Sequence, residues 1–160
     1  MGLLAEQIVI DCAAWTLEDL FGNQPADWLP PLLRLAGDEG ETAGLVLLAQ
    51  PPAAARPQSL LPRAHLVEVG APRRRAGGFQ LRLRWETAGY RALFATFEGL
   101  LVVRPLDGQA VVSIEGPFSA EAGVAPNGRG EIAARRAADS AVRGLLGHLR
   151  SAVEASVLAR

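Results

Sequence analysis

One segment in the middle of the chain collects the residue types that could carry out chemistry. It reads GFQLRLRWETAGYRALFATFEGLLVV, runs from Gly78 to Val103, and holds three of the five phenylalanines and one of the three tryptophans. Three arginines and two glutamates are set among these aromatic residues. Such a mixture is compatible with an active site, with a nucleic-acid surface, or with one wall of a binding pocket.

The alternation of residue types along this segment separates its aromatic from its charged side chains. Because successive side chains of a strand point to opposite faces, residues two apart share a face. One face carries Phe79, Leu81, Leu83 and Trp85. The other carries Gln80, Arg82, Arg84 and Glu86. A surface for single-stranded nucleic acid needs basic and aromatic side chains on the same face, so the pattern favours a pocket wall with a wet, charged exterior.

The same alternation predicts a second inward-facing set on the strands that follow. Its members are Leu93, Ala95, Phe97, Gly99, Leu101, Val103, Val112 and Ile114. Ala95 and Gly99 flank Phe97 and leave room beside it, which favours a cavity over a filled core. Leu100 and Val102 interrupt the charged face, which indicates a dimer contact there.

His65 is the one polar ring predicted to point inward from a strand, and it is the candidate catalytic residue. Because histidine titrates near neutral pH, His65 would suit the general base of a cyclase or dehydratase. The alternative is a hydrogen-bonded or rim histidine without a catalytic role. His148 falls beside the apolar stripe of the last predicted helix and is interpreted as a helix-flank residue.

Other constellations do not meet the requirements of known chemistries. Two histidines and the single cysteine, Cys12, lack the short ligand spacing of a zinc site, so no metal and no cofactor is expected. Ser113, His65 and Asp107 do not make a hydrolase triad, because Ser113 falls on the outward face and no G-x-S-x-G turn is present. All 16 basic residues are arginine, which excludes lysine chemistry.

Two glycine-rich stretches carry arginine. GAPRRRAGG has neither the residue pattern nor the following helix of a phosphate loop, so its arginines, Arg73 to Arg75, are predicted to form a solvated hairpin turn. PNGRGE precedes the last predicted helix and is interpreted as its entry or as a flexible lid, where Arg129 could meet an acidic head group.

Size and composition indicate a single globular domain over residues 1–160. A net charge of -1 and a pI of about 6.1 do not favour a nucleic-acid partner. The N-terminus lacks a basic leader, and no apolar run is long enough to span a bilayer. We therefore expect a cytoplasmic chain without stable membrane insertion.

Periodicity and chain breakers place these residues on an ordered set of elements. A strand at Ala5–Cys12 precedes two short helices, one at Thr16–Gly22 with Thr16 as N-cap and one at 26–37. Pro30 and Pro31 lie in the early turns of the second helix or break it. Further strands are predicted at 41–50, 63–70, 79–87, 93–104 and 109–116. From Glu131 the period becomes 3.6 over about 28 residues, a helix of about 40 Å that can cover the sheet.

This order resembles the SRPBCC superfamily, the START-like, Bet v 1-like or helix-grip group that includes polyketide cyclases/aromatases and lipid-transfer domains. IVIDCAAWTLEDLFGNQPADWLP is similar to the first strand and helix pair of that family, and ADSAVRGLLGHLRSAVEA is similar to its closing helix. VEVGAPRRRAGGFQLRLRWETAGYRALFATFEGLLVVRPLDGQAVVSIEG is similar to a bacterial, polyketide cyclase/dehydrase-like subgroup. The resemblance implies an α+β fold. In it a curved antiparallel sheet of six to seven strands wraps around a long C-terminal helix, with two short helices after the first strand.

The resemblance also implies an apolar cavity between the sheet and the last helix. The residues predicted to line it are Trp28, His65, Phe79, Leu83, Trp85, Phe97, Leu101, Ile114, Leu146 and Leu149. The preferred function is binding or carriage of a hydrophobic small molecule or lipid, without catalysis.

Two alternatives stay open at the level of sequence. One is a cyclase, aromatase or dehydratase in which His65 is the general base and the pocket acts by positioning. The other is a protein-interaction domain that acts through the outer sheet face, in a chain that is a monomer or a homodimer.

Overall fold

The computed structural model describes residues 2–22, 25–48, 64–88, 94–120 and 128–159. Within these ranges the chain forms six strands and three helices. The strands are β1 (Gly2–Ile10), β2 (Ala64–Val69), β3 (Arg73–Arg75), β4 (Gly78–Ala88), β5 (Phe94–Leu106) and β6 (Gln109–Ala120). The helices are α1 (Ala14–Gly22), α2 (Pro25–Leu48) and α3 (Gly128–Leu158).

The described strands form one antiparallel sheet in the order β1-β6-β5-β4-β2, with β3 paired to β4. Two-residue turns join β3 to β4 and β5 to β6. Ala76 and Gly77 have φ values of 35° and 83°, and Asp107 and Gly108 have values of 47° and 84°. Positive φ at both central residues is the type I′ geometry, which matches the twist of a hairpin. The Asp-Gly turn predicted from the sequence is therefore confirmed.

The two long helices, α2 and α3, pack against each other in opposite directions. Ala36 of α2 lies beside Gly144 of α3, whereas Gly40, one turn later, lies beside Ala137, an earlier residue of α3. A Cβ atom at Gly40 would lie 2.6 Å from the Cβ of Ala141, so only glycine allows this approach. Because α3 contacts β1, β5 and β6 while α2 contacts β2, the helix pair covers the inner face of the sheet.

The core lies between this inner face and the helices. The inner residues of β4 are buried, and they form one cluster with Leu29 and Leu33 of α2 and Leu145 and Leu149 of α3. Arg82, between them on β4, is exposed. The predicted separation of β4 into an apolar and a charged face is confirmed. So is the α+β helix-grip class, a curved antiparallel sheet with helices after its first strand and a long C-terminal helix.

The predicted strand at 41–50 is wrong, because α2 continues through Gly37 to Leu48. Leu29, Leu33, Ala36 and Gly40 are buried and keep the helical period across Gly37. Packing against α3 therefore outweighs the low helix propensity of glycine. The two prolines, 30 and 31, lie inside α2 and do not divide it.

Two shorter predictions are also corrected. Thr16 is not an N-cap, since α1 begins at Ala14 and the amide of Thr16 donates to the carbonyl of Ala13 at 3.0 Å. The arginines Arg73–Arg75 form β3 rather than a turn, because their backbone pairs with Gly78–Gln80. The turn itself needs only the next two residues.

Candidate functional site

Three aromatic side chains form a row across the inner face of the sheet. Trp85 of β4 is the cross-strand partner of Phe97 of β5, and Phe97 is the partner of Phe118 of β6. Trp85 and Phe97 are 1% exposed and Phe118 is 6% exposed. The guanidinium of Arg135 in α3 lies 5.7 Å from the centre of the Phe118 ring, a cation–π contact that links the row to α3. We call these three residues the aromatic row.

Phe97 lies along the sheet rather than away from it. A Cβ atom at Gly99 would lie 2.5 Å from Cζ of Phe97, so the ring occupies the space above this glycine. A Cβ at the adjacent Gly116 would lie 2.5 Å from the Cα of Gly99. Gly116 is therefore a second position beside Gly99 that adds no side chain to the inner face. The room that the sequence analysis expected beside Phe97 is therefore filled by the ring itself, which corrects that expectation at Gly99.

The described members of the predicted site come together in one core. The buried members are Phe79, Leu83, Trp85, Phe97, Leu101, Ile114, Leu146 and Leu149. Trp28 is partly buried and packs against the same cluster. Contact of these residues with a ligand stays a prediction. Among the other inward-facing residues, Leu93 and the side chain of Ala95 lie outside the described part of the chain.

The two histidines have different positions. The backbone of His65 is in β2 and pairs with Thr87 of β4. Thr87 is buried and follows Trp85 by two residues on the same strand. The side chain of His65 lies outside the described part of the chain, so its role as a base stays a prediction. His148 of α3 lies between the long helices, with Nε2 3.0 Å from Oε2 of Glu39 in α2.

The outer face of β4 and β5 carries the predicted cross-strand charge pairing. Nε of Arg84 donates to Oε1 of Glu86 at 2.8 Å, and it lies 3.5 Å from Oε1 of Glu98 on β5. The hydrogen bond to Glu86, with the charges of Glu86, Glu68 and Glu98, raises the pKa of Arg84. Arg84 is therefore engaged by carboxylates of its own chain.

A groove of about 820 Å³ lies on this outer face. The segment Gly70–Arg73 forms one side of the groove. The amide of Gly70 donates to the carbonyl of Arg82 at 2.9 Å, and this hydrogen bond holds the start of the segment against β4. Leu100 and Pro117 line the opposite side. The groove thus lies on the side of the sheet away from the aromatic row, and its lining mixes charged with apolar side chains.

Other titratable groups lie at the ends of the sheet or on the helices. Arg143 of α3 donates from Nη2 to Oε1 of Glu6 in β1 at 2.8 Å, and this hydrogen bond raises the pKa of Arg143. Burial, and after it the charge of Asp11, raises the pKa of the Cys12 thiol. The described residues hold no group of three metal-ligating side chains. No described helix is both long and apolar enough to cross a membrane.

Two features of these surfaces escaped the sequence analysis. The contact of Phe97 with Gly99 could have been predicted from the local sequence. An aromatic residue two positions before a glycine lies on the same face of the strand, and its ring can cover the glycine. The outer groove has no such signal. It depends on the course of Gly70–Arg73 beside β4, a tertiary arrangement.

No family model matches the chain, and no curated protein matches it. The chain is similar to several solved structures. One is TTHA0849 from Thermus thermophilus, 16% identical, with 97% of this chain and 99% of that chain covered and a TM-score of 0.48.

Two further structures are similar over most of their length. Ara h 8.0201 is 9% identical, with 94% of this chain and 98% of that chain covered and a TM-score of 0.40. The Zhui aromatase/cyclase from Streptomyces sp. R1128 is 11% identical, with 92% of each chain covered and a TM-score of 0.34. At such identities, similarity concerns the course of the backbone and not the chemistry of a site.

Proposed function

We propose that this chain binds a hydrophobic small molecule or lipid between the inner face of the sheet and α3, without converting it. The observation that supports the proposal is the aromatic row, Trp85, Phe97 and Phe118, which lies buried and continuous across three strands. Ligand sites are lined mainly by aromatic and aliphatic side chains, and flat ring faces contact an apolar ligand over a large area.

The position of Phe97 supports a site that adapts to its ligand. The ring lies over Gly99, and the neighbouring Gly116 adds no side chain, so a change of the Phe97 rotamer would exchange ring volume for ligand volume above the two glycines. The aliphatic residues Leu83 and Leu101 lie on the same inner face and would continue the wall. The ligand class that fits this wall is apolar, either a fused ring system or an acyl chain.

The tryptophans provide the test. Trp15 is 68% exposed, whereas Trp28 and Trp85 belong to the predicted site, so the variant Trp15→Phe leaves only site tryptophans as donors. Titration with the amphiphilic dye 1-anilinonaphthalene-8-sulfonate should then give saturable energy transfer from tryptophan to dye. Dodecanoate should reverse it by competition, and the dye should raise the melting temperature. Saturation without energy transfer would place the dye elsewhere and count against the proposal.

Two adjacent leucines of β5 give a matched pair of variants. Leu101 is buried on the inner face, and Leu100 lies on the outer face. Leu101→Ala should change the affinity for the dye, whereas Leu100→Ala, the same deletion on the other side of the sheet, should not. Equal effects of the two variants would contradict a site at the inner face. Native mass spectrometry of freshly purified protein would reveal any ligand that co-purifies.

An enzymatic role is a second candidate, which rests on the pairing of His65 with Thr87 next to Trp85. In this alternative His65 is the general base of a cyclisation or dehydration, since an imidazole accepts protons near neutral pH. The variant His65→Gln should then abolish turnover of a poly-β-ketone thioester analogue and leave dye binding unchanged. Absence of turnover by the unmodified protein would remove this candidate and leave the binding proposal intact.

A further inference from the structure

The outer face of the sheet has a charge pattern that reverses from one end to the other. Glu68 and Glu98 lie in one cross-strand row, since both are partners of Arg84. Six residues further along β5, about 20 Å away in an extended strand, lies Arg104. Arg75 of β3 lies at the same end of the sheet as Arg104, where it pairs with Gly78. One end of the outer face is therefore acidic and the other is basic.

Apolar side chains occupy the outer face between and beside these charges. At the acidic end Leu3 pairs with Pro117, and at the basic end Val9 pairs with Val111. Leu3 is 66% exposed and Val9 is 42% exposed. In the middle, β5 contributes Leu100 and Val102, both half-buried. Apolar side chains that are exposed or half-buried beside charged ones are typical of a protein contact surface.

The charges at the two ends are available for a partner. The side chain of Glu98 is 63% exposed, although it lies 3.5 Å from Nε of Arg84. Arg104 and Arg75 are exposed, and neither forms an ion pair with a residue in the described ranges. Arg75 and Arg104 can therefore meet opposite charges without first losing an ion pair with a described residue, whereas Glu98 would share its contact with Arg84.

The charge pattern of the outer face inverts about a point on β5 between Leu100 and Val102. We propose that a second copy of this chain covers the outer face. Consider a two-fold axis that is parallel to the sheet and lies just outside its outer face, so that it runs across the strands and passes over this point. It places Glu98 opposite Arg104 of the second copy, and Leu100 opposite Val102. The same axis places Leu3 opposite Val9 of the second copy. Every one of these contacts occurs twice, as in any isologous dimer.

The charges favour this orientation over the other face-to-face arrangement. A two-fold axis parallel to the strands would place Glu98 against Glu98 and Arg104 against Arg104, which costs binding energy. With the axis across the strands, Glu68 also faces the basic end of the second copy, near its Arg75. The two sheets then pack in the aligned manner that is common for sheets in contact. Arg82 and Gln80, which line the groove, face each other across the axis.

Charge reversal on β5 tests the proposal, with association measured by sedimentation velocity over a dilution series. The unmodified chain should be a dimer. Glu98→Arg and Arg104→Glu each set like charges against each other at two contacts, and each should raise the dimer dissociation constant roughly 100-fold or more. An equimolar mixture of the two variants should dimerise again, because every contact between the two different chains then joins an arginine and a glutamate. The double variant should also dimerise.

Control variants separate this effect from misfolding. Arg136→Glu reverses an exposed charge on α3, away from the outer face, and should leave the dimer intact. Circular dichroism melts should show both β5 variants folded, and Arg104→Glu removes no ion pair with a described residue. An unmodified chain that sediments as a monomer throughout, single variants that remain dimeric, or a mixture that stays monomeric would each overturn the proposal. None of these outcomes bears on the inner face, where dye binding is measured independently.

Discussion

The inner and outer faces of β4 and β5 are built by alternate residues of the same strands, yet different physics determines them. Trp85 and Phe97 on the inner face are 1% exposed and belong to a core shared with both long helices. On the outer face Arg84 and Glu98 remain in contact with water, and their side chains are 48% and 63% exposed. Burial, which is worth about 25 cal/mol per Å² of apolar surface, thus acts mainly on the inner face.

The difference teaches where each kind of function can arise in this sheet. Inner positions are restricted by volume, because a close-packed core responds to changes of a single methylene group. Outer positions are restricted mainly by charge pairing, which is weak in water for any single pair. A binding site for an apolar molecule therefore depends on shape at the inner face. An interface with a second copy depends on the arrangement of charges along the outer face.

The largest contrast is expected from a truncation at adjacent positions of β4. Trp85→Ala removes a buried aromatic side chain from the centre of the aromatic row and should lower the free energy of unfolding by about 3–5 kcal/mol. Arg84→Ala removes one exposed ion-pair partner and should lower it by less than about 1 kcal/mol. Urea unfolding of both variants measures the difference. Similar losses for the two would mean that the inner face is not the more tightly packed one.

A smaller contrast concerns glycines that differ in their surroundings. Gly99→Ala would force the Phe97 ring, and the backbone beside it, to move, so the free energy of unfolding should fall by about 1–3 kcal/mol. Gly147→Ala in α3 is the matched control, because no atom outside the helix lies within 4 Å of the added Cβ. There alanine should stabilise the helix by up to about 1 kcal/mol. A Gly99→Ala variant as stable as the unmodified chain would show that Phe97 moves freely.

The β4 face pattern could be predicted because it depends on neighbours two residues apart. The apolar stripe of α3 depends on an equally local rule, the 3.6 period. Its predicted members from Val142 to Val153 are buried, whereas the predicted members at its two ends, Ile132 and Val157, are exposed. The second half of α2 could not be predicted, since Gly37 is a stop signal locally and only the contact of Gly40 with α3 explains why the helix continues. Local rules contain no term for that contact.

The candidate site divides in the same way. Membership of Trp85 and Phe97 in the inner wall followed from alternation, whereas the close approach of Gly116 to Gly99 depends on the pairing of two strands. The outer groove likewise requires Gly70–Arg73 to lie beside β4 and β5. From alternation, Ser113 is predicted on the outer face, where a serine is ordinarily in contact with water. The structure instead buries it, at 7% exposed, between Gln7 of β1 and Val102 of β5.

Ser113 gives the smallest expected effect and the sharpest test of the boundary between the faces. Its hydroxyl oxygen is buried and has no hydrogen-bond partner among the described residues. An unpartnered buried hydroxyl is destabilising, so Ser113→Ala should raise the free energy of unfolding by roughly 1 kcal/mol. Alanine is a poorer strand former than most residues, so a gain cannot come from strand propensity. Ser113→Thr keeps the hydroxyl and adds a β-branched methyl group, and it should give no such gain. If Ser113→Thr stabilises the chain and Ser113→Ala does not, side-chain packing limits stability at this outer position. The inner and outer faces would then differ less in packing than their exposed fractions indicate.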